Sequence, residues 1–131
     1  MSKQKPRCRV LVVEDEAAIS ILIEDMLLDF GTEIVGPAAR IEDALRLARQ
    51  GELDLGILDI NLAGEATYPV ADLLRARDIP FVFATGYSTN SLPERFRKSP
   101  TLQKPFTFKT FEKTLRAALA GRPCHREVSL A

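Results

Sequence analysis

The sequence lacks the features that mark membrane, secreted or nucleic-acid-binding proteins. Its 131 residues include 18 basic and 18 acidic residues, so no excess charge is available to attract nucleic acid or an anionic membrane. No apolar run is long enough to cross a bilayer, and the first residues, MSKQKP, are polar with no signal-type apolar segment after them. These absences favour a cytoplasmic protein without membrane or nucleic-acid partners.

Cysteine and histidine are also scarce, which argues against a Cys/His metal site and against a disulfide-stabilised fold. The two cysteines, Cys8 and Cys124, form no CxxC or Cys/His pattern, so we expect two free thiols in the cytoplasm rather than a structural disulfide. The sole histidine, His125, lies in a polar tail over residues 121–131 and is expected to be a solvated side chain.

What the chain does have is a regular alternation of short apolar runs and helical spacing. With 46% hydrophobic residues, it suits one compact domain, which we expect over residues 7–120 after a flexible segment 1–6. The strand-like runs are CRVLVV, TEIVG, LGILD, FVFAT and TLQK, at residues 8–13, 32–36, 55–59, 81–85 and 101–104. Alternating strands and helices predict a doubly wound parallel sheet with helices on both faces.

Polar side chains follow four of the five predicted strands. Glu14 and Asp15 follow the first, and Asp59, Thr85 and Lys104 end the third, fourth and fifth. Because the carboxyl ends of parallel strands open onto one crevice, we expect these side chains to converge. Three acids repel one another and favour a divalent cation, and an all-oxygen set suits Mg²⁺. A rim of unrelated solvated residues does not account for such a set at matching strand ends.

In their order and spacing, these residues resemble the receiver domain of two-component response regulators. The matching segments are VVEDE, ILDINL, FATG and QKPF. The resemblance implies a flavodoxin-like, five-stranded parallel sheet with strand order 2-1-3-4-5, in which the second strand lies at an edge. The segment FVFATGY further resembles the subgroup named for its Phe-Ala-Thr-Gly-hydrophobic-Tyr motif, whose members are often single-domain proteins working beside sensor histidine kinases.

The resemblance implies a phosphoacceptor site. Asp59 corresponds to the phosphoacceptor, Glu14 and Asp15 to the acid pair that holds Mg²⁺ with Asp59, and the Asn61 backbone carbonyl to a further metal ligand. The chemistry agrees, because a carboxylate that accepts a phosphoryl group must meet an anionic donor, and the metal offsets the repulsion. The implied donor is a sensor histidine kinase or a histidine phosphotransfer protein. The chain would be no enzyme beyond catalysing its own phosphorylation and dephosphorylation.

The residues at and after the fifth strand also acquire roles. Lys104 corresponds to the cation that contacts the phosphoryl group, and the resemblance implies a cis peptide bond before Pro105. In the helical pattern that follows, we expect Phe108 and Phe111 to lie in the core, whereas the position of Phe106 is open.

The output of the domain is expected to differ from that of most receivers. Thr85 corresponds to the hydroxyl that reads the phosphoryl group, but Thr101 occupies the usual position of the switch aromatic. We therefore expect the switch to depend on the segment that begins with Gly86 and Tyr87, which is polar, contains two prolines up to residue 100, and allows only a short helix near residues 92–98. This segment should be loosely held. A downstream protein would bind the face formed by the fourth helix, fifth strand and fifth helix.

A stand-alone receiver with a protein partner has several alternatives. The chain could serve as a phosphate sink without its own output, which the sequence does not distinguish. A haloacid-dehalogenase-type phosphohydrolase needs a second aspartate two residues after the nucleophile, where this chain has Asn61. A nucleotide-binding module needs a GxGxxG or GxxxxGK[ST] loop, which is missing.

Overall fold

A five-stranded parallel sheet forms the centre of the fold in the computed structural model, which describes residues 8–86 and 92–120. Its strands are β1 (Arg9–Val13), β2 (Glu33–Ala38), β3 (Leu55–Asp59), β6 (Phe81–Thr85) and β7 (Thr101–Gln103). Between β3 and the next helix lies a small antiparallel hairpin, made of β4 (Asn61–Leu62) and β5 (Glu65–Ala66). The sheet order is β2-β1-β3-β6-β7, which is 2-1-3-4-5 when the hairpin is left out of the count. The predicted flavodoxin-like fold is confirmed.

Helices cover both faces of the sheet. They are α1 (Ala17–Asp29), α2 (Ile41–Arg49), α3 (Tyr68–Ala76) and α4 (Phe108–Ala118). Successive strand residues point to opposite faces, so Leu11 packs with α2 and α3 in one core cluster while Val12 packs with α1 and α4 in the other. Among the described residues, no helix is long and apolar enough to cross a membrane.

The edge strand β2 depends on a glycine. Gly36 has φ +102°, and a Cβ there would lie 2.8 Å from the backbone oxygen of Val12 and 2.9 Å from the backbone nitrogen of Ala38. The pairing of β1 with β2 shifts register at this point. Only glycine accommodates both the backbone angle and the close approach, so the strand stays paired up to Ala38, whose carbonyl accepts the N–H of Glu14 at 3.0 Å.

Residues 92–98 are held more firmly than their composition predicts. They contain a single 3₁₀ turn, Glu94–Phe96, which confirms that this stretch allows only a short helix. Phe96 is fully buried and stacks on Tyr68 at 5.6 Å. Arg95 lies over the same ring at 4.6 Å and donates two hydrogen bonds of 3.0 Å to Asp72 on α3. The expectation of a loosely held segment is therefore wrong for this part, because an aromatic core residue within the polar stretch anchors it. The earlier residues 87–91 lie outside the described ranges.

Two further expectations about side chains need correction. Phe111 is buried as predicted, but Phe108 is 38% exposed, because it is the first residue of α4 and only touches the edge of Phe30, at a ring distance of 6.4 Å. Phe106 fills the core instead and stacks on Phe111 at 5.8 Å.

The expectation of free thiols is wrong as well, because Cys8 is buried and disulfide-bonded. The fold gives the reason: α4 ends at the edge of the sheet where the strands begin, since Ala118 lines the same cleft as Pro80 and Phe81. The chain is thereby returned to the edge from which β1 starts, a proximity that cysteine spacing does not predict. Cys124 lies outside the described residues.

Candidate functional site

The strand register brings the predicted site residues to one edge of the sheet. Val13 pairs with Leu58, and Asp59 pairs with Ala84. Consequently Glu14, which follows Val13, is level with Asp59, and Thr85 lies one residue further along β6. The site is therefore a product of parallel pairing, in which each strand delivers a polar residue where its apolar run ends.

Three carboxylates lie close together at this edge. Glu14, Asp15 and Asp59 each offer an oxygen atom, and these atoms all lie within 4.8 Å of one another. The Glu14 side chain is fully buried, that of Asp59 is 12% exposed, and Asp15 is open to solvent. Burial raises the pKa of the Glu14 and Asp59 carboxyls above their ordinary values. An all-oxygen set of crowded acids fits a hard divalent cation such as Mg²⁺.

Lys104 is the cation of the site. Its Nζ atom lies 3.1 Å from Oε1 of Glu14, 3.5 Å from Oδ2 of Asp59 and 3.6 Å from Oε1 of Glu16. Burial acts to lower the pKa of Lys104, but the surrounding carboxylates, Asp59 above all, raise it above its ordinary value. The side chain is therefore an ammonium ion shared among three carboxylates.

A cavity of about 490 Å³ opens over these groups. It is lined by Asp15, Glu16, Asp59, Asn61, Gly86 and Lys104. Thr85 is buried at the end of β6, and its carbonyl oxygen accepts the N–H of Lys104 at 2.8 Å, which joins the ends of β6 and β7. The Lys104–Pro105 peptide bond is cis. Tyr87, the remaining predicted residue, lies outside the described residues.

The β4–β5 hairpin forms one wall of the site. Its turn is Ala63 and Gly64, both at positive φ, and the Asn61 side chain accepts the N–H of Gly64 at 2.9 Å. Asp15 reaches across and accepts the N–H of Ala63 at 2.9 Å, while the Asn61 N–H approaches Oδ1 of Asp59 at 3.4 Å. The hairpin is thus tied to two of the three acids.

Sequence reasoning missed two residues of this site. Glu16 pairs with Lys104, and its N–H donates to Oε2 of Glu14 at 3.1 Å. Its signal was its place directly after the acid pair, in VVEDE. Thr67 is fully buried and donates its hydroxyl hydrogen to the carbonyl oxygen of Asp59 at 2.5 Å. Its signal was its place before Tyr68 and Pro69, where a threonine typically precedes a helix.

Comparison with known proteins agrees with this arrangement. The model of the response regulator receiver domain matches residues 10–116. The transcriptional regulatory protein PdtaR of Mycobacterium tuberculosis is 36% identical over 103 residues, which cover 76% of this chain and 50% of that protein. The chain therefore spans about half the length of this curated relative.

Solved structures show the same likeness. The solution structure of SdrG from Sphingomonas melonis Fr1 is 46% identical, with a TM-score of 0.79, and covers 87% of this chain and 98% of its own. The response regulator TrrA of Thermotoga maritima, crystallised in complex with Mg²⁺-BeF, is 30% identical, with a TM-score of 0.75, over 86% of this chain and 99% of its own. On the family match, the fold and the site, this chain belongs to the response regulator receiver domains, the phosphoacceptor modules of two-component signalling.

Proposed function

We propose that this chain, through a receiver unit over residues 7–120, accepts a phosphoryl group on Asp59 from a histidine kinase or histidine phosphotransfer protein in the cytoplasm. The observation that carries the proposal is the placement of the Asp59 carboxylate: it faces an open cavity, lies within an all-oxygen acid cluster and is 3.5 Å from Lys104. A structural carboxylate needs a partner but does not need the crowding by Glu14 and Asp15. Crowded acids beside a single ammonium suit a group that reacts.

Each residue then has a task in the transfer. An Asp59 carboxylate oxygen attacks phosphorus while the bond from phosphorus to the donor's histidine nitrogen breaks, and the imidazole leaves with that electron pair. Glu14, Asp15, Asp59 and the Asn61 carbonyl would hold Mg²⁺, which supplies charge neutralisation between the carboxylate and the phosphoryl oxygens when it is bound. The Lys104 ammonium neutralises a further phosphoryl oxygen, and the Thr85 hydroxyl donates to the group once it is in place.

Acetyl phosphate provides a direct test, because it needs no partner protein. Incubated with Mg²⁺ and acetyl phosphate, the protein should gain one phosphoryl group, which peptide mass spectrometry should locate on Asp59. Asp59→Asn, or wild type in EDTA, should gain none. Asp72→Asn, which removes an exposed carboxylate bound to Arg95, is the matched control and should be phosphorylated as wild type is. Phosphate at another residue, or transfer without metal, would refute the assignment.

We further propose that the donor protein docks on an apolar surface beside the site, formed by Ile21, Leu22 and Leu28 on α1 together with Phe108. These are the exposed large hydrophobic residues among those described, and Ile21 and Leu28 are 58% and 59% exposed. Ile21 and Leu28 lie seven residues apart and therefore share one face of α1, which begins two residues after Asp15. Phe108 touches Phe30, the residue that follows α1. Exposed apolar residues on one helix face are typical of an interaction site, and this helix directly follows the acid pair of the site.

A phosphotransfer profile against candidate histidine kinases tests the docking. Ile21→Lys should be phosphorylated by acetyl phosphate at the wild-type rate but should lose transfer from the cognate kinase. Gln50→Lys adds the same charge at an exposed position at the end of α2 and should keep both reactions. Unchanged kinase transfer to Ile21→Lys would remove α1 from the docking surface.

We propose, finally, that the phosphorylated form acts on a downstream protein through the face made by the 3₁₀ turn, β7 and α4. A cleft of about 410 Å³ on this face is lined by three cations, Arg75, Arg95 and Lys98, and by one acid, Asp78. This excess of positive charge favours a partner with acidic side chains. In cells that lack the wild-type protein, Lys98→Glu should be phosphorylated but should not restore the response. A phosphate sink needs no such face, so full restoration by Lys98→Glu would favour the sink.

A further inference from the structure

Thr67 makes three hydrogen bonds that close the loop between β3 and α3. Its hydroxyl donates to the carbonyl oxygen of Asp59 at 2.5 Å and lies 3.3 Å from that of Ile60. Its backbone N–H donates to the same Ile60 oxygen at 2.8 Å. The side chain is fully buried, so no water competes for these contacts. The residue that ends β3 and the residue that precedes α3 are therefore bonded directly to each other.

The hydroxyl of Thr67 does not perform the usual task of a threonine at this position. Thr67 is the N-cap residue of α3, where a threonine side chain typically accepts a hydrogen bond from one of the first helical N–H groups. Here the side chain makes no capping hydrogen bond. The hydroxyl points away from the helix and donates its short hydrogen bond to the Asp59 carbonyl oxygen instead.

The other side of Thr67 is anchored in the core. Its carbonyl oxygen accepts the N–H groups of Val70 at 2.9 Å and Ala71 at 3.2 Å, and both of those residues are fully buried on α3. The hydroxyl is thus held at a fixed point of the scaffold. A rigid donor on a packed helix can define the orientation of the group that it binds.

From this geometry we infer that the Thr67 hydroxyl is a positioning residue for the phosphoacceptor and for the metal-binding loop; the inference rests on the proposed function of Asp59. Fixing the Asp59 carbonyl fixes the peptide plane between Asp59 and Ile60. That plane sets the direction in which the Asp59 side chain leaves the end of β3, toward Lys104. It also sets the start of the hairpin that carries Asn61. Thr67 acts through the backbone.

A purely structural role would make the same hydrogen bond but would affect only stability. Thr32 provides the matched control, because it is also a buried threonine whose hydroxyl donates to a backbone carbonyl, that of Leu27, at 2.9 Å. Thr32 lies beyond the end of α1 and directly before β2, whose first residue, Glu33, pairs with Arg9 at the start of β1, so it is at the opposite end of the strands from the site. Thr67→Val and Thr32→Val each remove one buried hydroxyl while keeping the shape of the side chain, and Thr67→Ser restores the hydroxyl.

The experiment measures three quantities for each variant: the midpoint of urea unfolding, the affinity for Mg²⁺ by titration calorimetry, and the rate of phosphorylation by acetyl phosphate at saturating Mg²⁺. Both valine variants should unfold at lower urea than wild type. Only Thr67→Val should bind Mg²⁺ about 10-fold more weakly and react about 10-fold more slowly, the lower bound for loss of a group that orients metal ligands. Thr67→Ser should return both values to within about twofold of wild type.

Wild-type affinity and rate in Thr67→Val would overturn the inference, and so would equal losses in Thr32→Val, which would show that lost stability alone is responsible. Failure of wild type to accept phosphate would instead overturn the proposed function. In that case the Mg²⁺ affinities of the same variants still decide whether Thr67 positions the loop.

Discussion

Replacing Asp59 with asparagine should stabilise the metal-free protein, although it removes a partner of Lys104. At an effective dielectric constant of about 20, the attraction between Lys104 and Asp59 at 3.5 Å is about 4.7 kcal/mol. The repulsion from Glu14, whose oxygen lies no more than 4.8 Å away, is at least about 3.5 kcal/mol under the same assumption. Asp15 adds a smaller, solvent-screened repulsion, so the charge terms nearly cancel and the cost of burying the carboxylate remains.

The asparagine leaves no buried charge without a partner. Lys104 keeps Glu14 at 3.1 Å and Glu16 at 3.6 Å. We therefore expect Asp59→Asn to increase the free energy of unfolding by about 1 kcal/mol at pH 7 in EDTA. Because the chain has no tryptophan, the measurement is urea unfolding followed by far-UV circular dichroism.

The stability gain from Asp59→Asn should depend on pH. Burial raises the pKa of Asp59 in the folded protein, so the folded state binds the proton more tightly than the unfolded chain does. The wild-type protein therefore loses stability as the pH rises from the ordinary pKa of an aspartate to the raised pKa of Asp59. The greater stability of Asp59→Asn should appear above this range and vanish near pH 4. Asp72→Asn is the control of opposite sign: Arg95 lowers the pKa of Asp72, and loss of this exposed pair should cost a few tenths of a kcal/mol, roughly. A less stable Asp59→Asn at pH 7, or a gain that persists at pH 4, would refute the reasoning.

Three further predictions follow from the same structure. Lys104→Met should lower the free energy of unfolding by about 2–3 kcal/mol at pH 7, because buried Glu14 loses its cation, and by much less at pH 4, where the carboxyls take up protons. Gly36→Ala should cost more than about 2 kcal/mol through its backbone clash, whereas Gly31→Ala, at positive φ but with open space around it, should cost only about 1 kcal/mol. Arg95→Ala should lower the stability slightly and speed amide hydrogen exchange over residues 92–98, since it removes an exposed ion pair and a cation–π contact. Urea unfolding measures the three stability changes, and hydrogen exchange measures the effect of Arg95→Ala on residues 92–98. Equal stability of Gly36→Ala and Gly31→Ala would count against the account of β2.

The fold was predictable because each of its strands and helices is marked by a pattern of apolar residues that are close in sequence. Each strand is a short apolar run, and the residue that breaks the run, such as Asp59 or Thr85, marks the strand end that faces the site. Parallel pairing then places all of these strand ends at one edge of the sheet. For the same reason, the convergence of Lys104 with the acids could be predicted from the order of the strands along the chain.

Other features depend on distances that no local pattern contains. The bond from Thr67 to Asp59 joins residues eight positions apart across a hairpin that the sequence did not predict. Phe108 carries the same periodic signal as Phe111, and only its place at the start of α4 leaves it exposed. Firm anchoring of residues 92–98 requires Asp72 and Tyr68, both on α3, more than 20 positions earlier in the chain.

The hydrogen bond from Ala63 to Asp15 links the charge state of the site to the shape of a surface turn. One carboxylate oxygen of Asp15 already accepts a backbone hydrogen bond, so an ion that draws on that oxygen weakens the hold on the turn. If the ion changes the affinity of the turn for a second molecule by some factor, that molecule changes the affinity of the site for the ion by the same factor. Ala63 also lines a cleft with Arg40 and Leu45, and none of the three acids of the site lines that cleft. A molecule seated in that cleft would therefore tune cation occupancy without touching Glu14, Asp15 or Asp59.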